Sequence, residues 1–174
     1  MDVLERFLQY IAFPTTSKED TDAFPSTQQQ LAFGQKIAKE LKEIGLSDVL
    51  QDEKGYVFAT IPETVSGQPV LGLIAHMDTS PDADGTDITP VITRNYDGGV
   101  IKRSFSDLSP EEFPALKNYI GQDILSSNGA TLLGADDKAG MAEIVTAAQY
   151  LLDVYKRQVF SQQLSRKDLD QPVH

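Results

Sequence analysis

The run Val70-Leu71-Gly72-Leu73-Ile74-Ala75 constrains this chain more than any other stretch of it. It contains no polar side chain, so no period-two alternation marks a wet face. A strand that is apolar on both faces belongs in the middle of a sheet covered by helices. The run ends at His76, and the strand ends of an open α/β sheet are where its ligand crevice lies. The sequence therefore predicts a central strand over 70–75, more buried than any other in the chain.

The segments around it fit the same class. Val3, Leu4, Phe7, Leu8 and Ile11 recur at helical spacing, and Pro14 ends that helix. Ser26 and Gln29 read as a capping box opening a second helix. Leu31, Ile37, Ala38, Leu41 and Ile44 form its inner face, and Gly45 sits where a C-terminal cap belongs. Residues 49–51 and 56–61 read as strands. From 79 to 129 the chain is irregular. Within it a hairpin is expected between 91–96 and 100–101, a short capped helix at 109–112, and a second hairpin about Asn128-Gly129 joining 124–125 to 131–133. Residues 138–152 are helical, with Met141, Ile144, Val145, Ala148, Leu151 and Leu152 as the apolar face. This order predicts an α/β sandwich. The last helix, however, lacks the strand that would complete its crossover. The sequence thus reads as an incomplete domain over 1–152, followed by a weakly ordered polar tail over 153–174.

Composition excludes several classes of function. Fifteen Lys plus Arg against 26 Asp plus Glu give 15 − 26 = −11, with a pI near 4.5. Nucleic acids and anionic membranes call for basic patches, so neither is an expected partner. No apolar run approaches the ~18 residues of a membrane helix. The start Met1-Asp2-Val3-Leu4-Glu5 lacks the basic region of a secretory signal. Without cysteine there is no disulfide framework and no thiolate-bound metal. A cytoplasmic location is expected.

Two histidines occur, His76 and His174. His174 ends the polar tail, where a solvated ring without a role is the simplest reading. His76 is followed two residues on by Asp78. In an extended segment these two share a face, so Asp78 can accept the spare N–H of the imidazole. A carboxylate in that place fixes the tautomer of a metal-binding histidine. Taken alone, the pattern is more often a hydrogen-bonded histidine at a strand end. The second constellation is Leu132-Leu133-Gly134-Ala135-Asp136-Asp137-Lys138-Ala139-Gly140, two adjacent carboxylates between a strand and a helix. Capping accounts for one of them. It does not readily account for two among small residues, and carboxylates at a strand end suit a divalent cation. Lys138 between Gly134 and Gly140 is no P-loop, which needs Gly-Lys-Ser/Thr together.

His76-Met77-Asp78-Thr79-Ser80-Pro81-Asp82, followed by Thr131 through the Gly134-Ala135-Asp136-Asp137-Lys138-Ala139-Gly140 stretch, resembles the co-catalytic dizinc metallopeptidases. That family includes carboxypeptidase G, succinyl-diaminopimelate desuccinylase and tripeptide aminopeptidases, and the last are the nearest in pattern. Leu4-Glu5-Arg6-Phe7-Leu8, Pro25-Ser26-Thr27, Asn95-Tyr96 with Gly98-Gly99, and Ala142-Glu143-Ile144 add to the resemblance, which covers 1–152. It implies the three-layer α/β/α sandwich of a zinc-dependent exopeptidase, present as the N-terminal part of the catalytic domain. It implies two zinc ions in the complete enzyme, tripeptides as substrate, and it leaves a homodimer open. Residue by residue, His76 resembles the ligand of the first zinc. Asp78 resembles the catalytic aspartate that orients the imidazole. Asp136 resembles the carboxylate that bridges both ions, and Asp137 follows it across a cis peptide bond.

The pattern departs from the family after Leu152. The family's Glu-Glu pair, a general base and a ligand of the second zinc, has no counterpart there, nor do a later Asp and His ligand. Glu111-Glu112 precede the acidic motif and read as the first turn of a helix. The expectation is a truncated or spliced fragment, inactive alone. Two other readings compete: the acidic Mg²⁺ pocket of a phosphoryl-accepting receiver domain, and a non-catalytic binding fragment. A receiver, however, carries its acidic pair after its first strand and needs no histidine.

Overall fold

A computed structural model describes the backbone of residues 1–169 and the side chains of residues 1–154; His174 lies outside the described residues. Helix α1 (Val3–Ile11) begins on a capping box different from the one expected at Ser26. The Asp2 carboxylate accepts the Glu5 N–H at 2.8 Å, and Glu5 accepts the Asp2 N–H at 3.3 Å. Asp2→Ala should therefore cost about 1 kcal/mol of stability, read as a lowered urea midpoint at unchanged slope. The buried face of α1 is Arg6, Phe7, Tyr10 and Ile11, rotated from the expected apolar stripe. The rotation follows from Arg6. Its Nε donates to Glu40 Oε1 at 2.7 Å, and its two terminal nitrogens donate to the Thr146 hydroxyl and to Gln149 Oε1. Tyr10 donates to the other Glu40 oxygen at 2.7 Å. With each of its three nitrogens engaged, a guanidinium can sit inside while Val3 stays exposed. Burial, reinforced by Glu40, drives the Tyr10 phenol well above its usual range.

Helix α2 (Gln28–Ile44) is capped by Thr27, which makes no side-chain capping bond. Ser26 is engaged elsewhere: its hydroxyl accepts the Lys18 N–H at 3.0 Å, because the polar loop before it folds back. Gly45 closes the helix in the left-handed region at φ 102°, as its sequence position predicts. Strands β1 (Ser47–Gln51) and β2 (Val57–Thr60) pair antiparallel against α2. Phe7, Tyr10 and Ile11 of α1 and Phe33, Ile37 and Leu41 of α2 meet Met141, Ala142 and Val145 of helix α3 (Ala135–Leu169) in one core.

The remainder departs from expectation. The run 70–75 is not a strand, and Val70 and Ile74 are 98% and 92% exposed. Only Ala75 packs against the core. A strand apolar on both faces needs a neighbour at each edge, and among the described residues no strand lies beside this one. The sheets are two separate antiparallel pairs, so the architecture is mixed α/β with no central layer. Neither expected hairpin forms. Strand β3 (Pro90–Thr93) instead pairs residue for residue with β4 (Ile124–Ser127). Ile101 pairs with Leu108 instead, and Asn128 accepts the Phe105 N–H. Residues 110–112 form a turn, and a 3₁₀ helix follows over Pro114–Tyr119. Helix α3 extends to Leu169, beyond the expected end at 152, and its regular turns begin after Asp137. Among the described residues no helix is long and apolar enough to cross a membrane.

Candidate metal centre

Residues 75–79 run extended with alternating burial. Ala75, Met77 and Thr79 turn inward, while His76 and Asp78 share the outer face. The segment is tied to the loop after α1. The Thr79 N–H donates to the Thr15 carbonyl at 3.2 Å, and the Ser17 N–H donates to the Thr79 carbonyl at 2.9 Å. His76 Nδ1 lies 3.1 Å from Asp78 Oδ1 and 3.1 Å from the Asp78 carbonyl oxygen. Nδ1 thus faces two acceptors, both from Asp78. Asp78 Oδ2 accepts the Ser17 hydroxyl at 2.8 Å.

The acidic turn approaches from the other side. Gly134 adopts φ 75°, and a Cβ there would lie 3.6 Å from Thr79 Cγ2 and 3.8 Å from Ile88. The left-handed φ is what calls for glycine here, since a Cβ would meet only ordinary van der Waals contacts. The Asp136–Asp137 peptide bond is cis. The two carboxylates then part. Asp137 Oδ1 accepts the Gly140 N–H at 3.2 Å and caps the regular turns of α3. Asp136 Oδ1 reaches His76 Nε2 at 2.9 Å. Capping thus explains one aspartate and leaves the other facing the imidazole.

Desolvation pulls the His76 imidazole down, but the Asp136 hydrogen bond and the Asp78 charge outweigh it and raise the ring above its ordinary value. The His76 side chain is half exposed and that of Asp136 is 95% exposed. A pair so open to water contributes little to stability, roughly 0–1 kcal/mol. Zinc bonded to imidazole nitrogen and carboxylate oxygen at ~2.0–2.2 Å each would set those atoms roughly 3.3–3.6 Å apart in tetrahedral geometry, a few tenths of an ångström beyond the 2.9 Å at which they meet directly. An imidazole and a carboxylate are donors zinc accepts. They complete only one edge of its shell: among the described residues no group of three His, Cys, Asp or Glu could hold a metal.

His76, Asp78 and Asp136 thus come together, although the first and last are 60 positions apart. Asp137 stands aside as a cap. Ser17 left no mark in the sequence, where it sits in a polar loop, and Lys138 was marked only as part of the acidic motif. Lys138, only 1% exposed, donates its ammonium to the Phe13 carbonyl at 2.6 Å and lies 5.4 Å from the Phe33 ring centre. Burial pushes its pKa down to about 8.

A chain with this site is related in sequence to peptidases. The particular relatives are peptidase T. That of Caldanaerobacter subterraneus subsp. tengcongensis is 54% identical over 155 residues, 87% of this chain and 38% of the relative. That of Halothermothrix orenii is 50% identical over 155 residues, with the same shares. That of Clostridium botulinum (strain Loch Maree / Type A3) is 53% identical over 156 residues, again 87% and 38%. Over the matched span the chain is homologous to peptidase T, and it spans 38% of the length of these curated relatives. No family model matches it. None of these relatives bears the name of a phosphoryl-accepting receiver.

Proposed function

We propose that this chain carries part of the metal centre of a zinc-dependent tripeptide aminopeptidase. The observation that carries the reading is the 2.9 Å approach of His76 Nε2 to Asp136 Oδ1 in a homologue of peptidase T. His76 through Nε2 and Asp136 through its carboxylate would hold zinc, Asp136 bridging two ions in the complete enzyme. Bound zinc supplies acidification of a coordinated water and polarisation of a carbonyl oxygen. With zinc bound, Asp78 would hold the His76 proton on Nδ1, so that the Nε2 lone pair goes to the metal. Asp137 caps α3 and fixes the turn that presents Asp136. The substrate class is short peptides, from which the N-terminal residue is released, and the location is the cytoplasm, without nucleic acid or membrane partners. A homodimer and the three-layer sandwich are proposed for the domain at the relatives' full length. The division at 152, with the polar tail outside the peptidase domain, belongs to the same reading, as does inactivity of residues 1–174 alone.

Zinc titration of the 174-residue chain tests this reading. Zinc should shift the ring resonances of His76 and leave those of His174 in place. His76→Ala or Asp136→Asn should weaken binding by at least tenfold. Binding that neither substitution alters, or a preference for Mg²⁺ over zinc, would overturn the reading.

A further inference from the structure

We infer that Ser17 is a positioning residue of this site, holding Asp78 in the rotamer that directs the proton of His76 to Nδ1. The inference rests on the zinc reading of His76 and deepens it. Four hydrogen bonds define a one-way chain. Gln30, buried at the start of α2, places its amide nitrogen 3.4 Å from Ser17 Oγ and 3.3 Å from the Thr15 carbonyl. The Ser17 oxygen thus faces a donor, and its own proton is directed to Asp78 Oδ2 at 2.8 Å. With Oδ2 engaged, Oδ1 is the oxygen left for His76 Nδ1 at 3.1 Å. Asp78 is half exposed, and without Ser17 its carboxylate has no other side-chain partner apart from the imidazole itself among the described contacts.

The backbone fixes the same register. Thr16 and Thr79 form a parallel bridge, flanked by the Thr79-to-Thr15 and Ser17-to-Thr79 hydrogen bonds. Ser17 is therefore locked beside Asp78, and its hydroxyl needs no ordering from a free loop. On the other side, Lys138 binds the Phe13 carbonyl four residues earlier in the same loop. One short segment thus contacts both halves of the site, the imidazole arm through Ser17 and the acidic arm through Lys138. Ser17 is the member of that segment whose side chain reaches a group in contact with the imidazole.

The test compares Ser17→Ala with Ser17→Thr, which keeps the hydroxyl, in the full 174-residue chain. With two histidines in the sequence, long-range ¹H–¹⁵N correlation gives two ring signatures, and His174 serves as the internal reference. In a zinc-free Asp136→Ala background, which removes the carboxylate facing Nε2, and at a pH where both rings are neutral, Ser17→Ala should shift His76 toward the Nε2-protonated tautomer, and Ser17→Thr should restore the original ratio. Zinc should bind Ser17→Ala about 3- to 10-fold more weakly, the effect of one ordinary hydrogen bond, and Ser17→Thr as the parent does. Unfolding midpoints of the three chains should agree, since a merely structural serine would lower them without moving the tautomer. A His76 tautomer unchanged in Ser17→Ala would overturn the role of Ser17 even if zinc still binds through His76. A tautomer shift with no zinc response at His76 would uphold Ser17 and overturn the zinc reading instead.

Discussion

Residues 1–174, purified and supplied with zinc, should cleave a tripeptide at least about 100-fold more slowly than a full-length peptidase T relative. A positioned general base contributes typically 10²–10⁴-fold. His76 nitrogens are both engaged, Nδ1 by Asp78 and Nε2 by Asp136, so the imidazole is not free to act as that base. Asp137 is held by the Gly140 N–H. Among the described residues no group of three His, Cys, Asp or Glu could hold a metal. With two protein donors, most of the zinc shell falls to water, and occupancy drops as well. The measurement is steady-state hydrolysis beside the full-length control at equal zinc. Turnover within about tenfold of that control would show that a base and further ligands reach this site, for instance from a second copy of the chain.

Arg6→Ala should destabilise the chain by about 3–5 kcal/mol, the cost of breaking a buried ion pair from one side. The guanidinium is 1% exposed and joins three helices, through Glu40 of α2 and through Thr146 and Gln149 of α3. Its removal leaves the Glu40 charge in the interior with only the Tyr10 hydroxyl. Arg6→Met combined with Glu40→Gln should recover part of the loss, because it removes both charges and keeps the volume. Urea unfolding followed by circular dichroism measures both. A loss below about 1 kcal/mol for Arg6→Ala would show that the pair contributes no more than an exposed one.

The parts of this molecule that were legible in the sequence are those decided locally. The ends of α1, the glycine cap of α2 and the i, i+2 relation of His76 to Asp78 follow from neighbours a few residues apart. The site's two halves were legible through motif resemblance, which carries long-range information that periodicity does not. What periodicity could not supply was pairing. The apolar run at 70–75 states what such a segment requires, a strand on each side, and not whether those strands stand beside it. Asn128-Gly129 is a good hairpin turn, yet β4 spends its edge on β3, thirty-odd residues earlier. Nothing in the sequence marked Arg6 as buried, because its three partners lie far along the chain. Ser17 was invisible for the same reason: its partner is 61 positions away.

The ties of Arg6 also set a schedule for synthesis. Arg6 leaves the ribosome 140 and 143 residues ahead of the two α3 side chains that accept its terminal N–H groups. Lys138 trails the Phe13 carbonyl it binds by 125 residues. At ~5–20 residues per second, that gap lasts on the order of 10 s. During it α1 has only α2 and Glu40 to shelter its guanidinium, and the loop that braces His76 has no ammonium beneath it. The nascent chain can form its first two helices and the β1–β2 ribbon early, but its core closes only when α3 arrives, and the segments bearing His76 and Asp136 are braced together in that same late step.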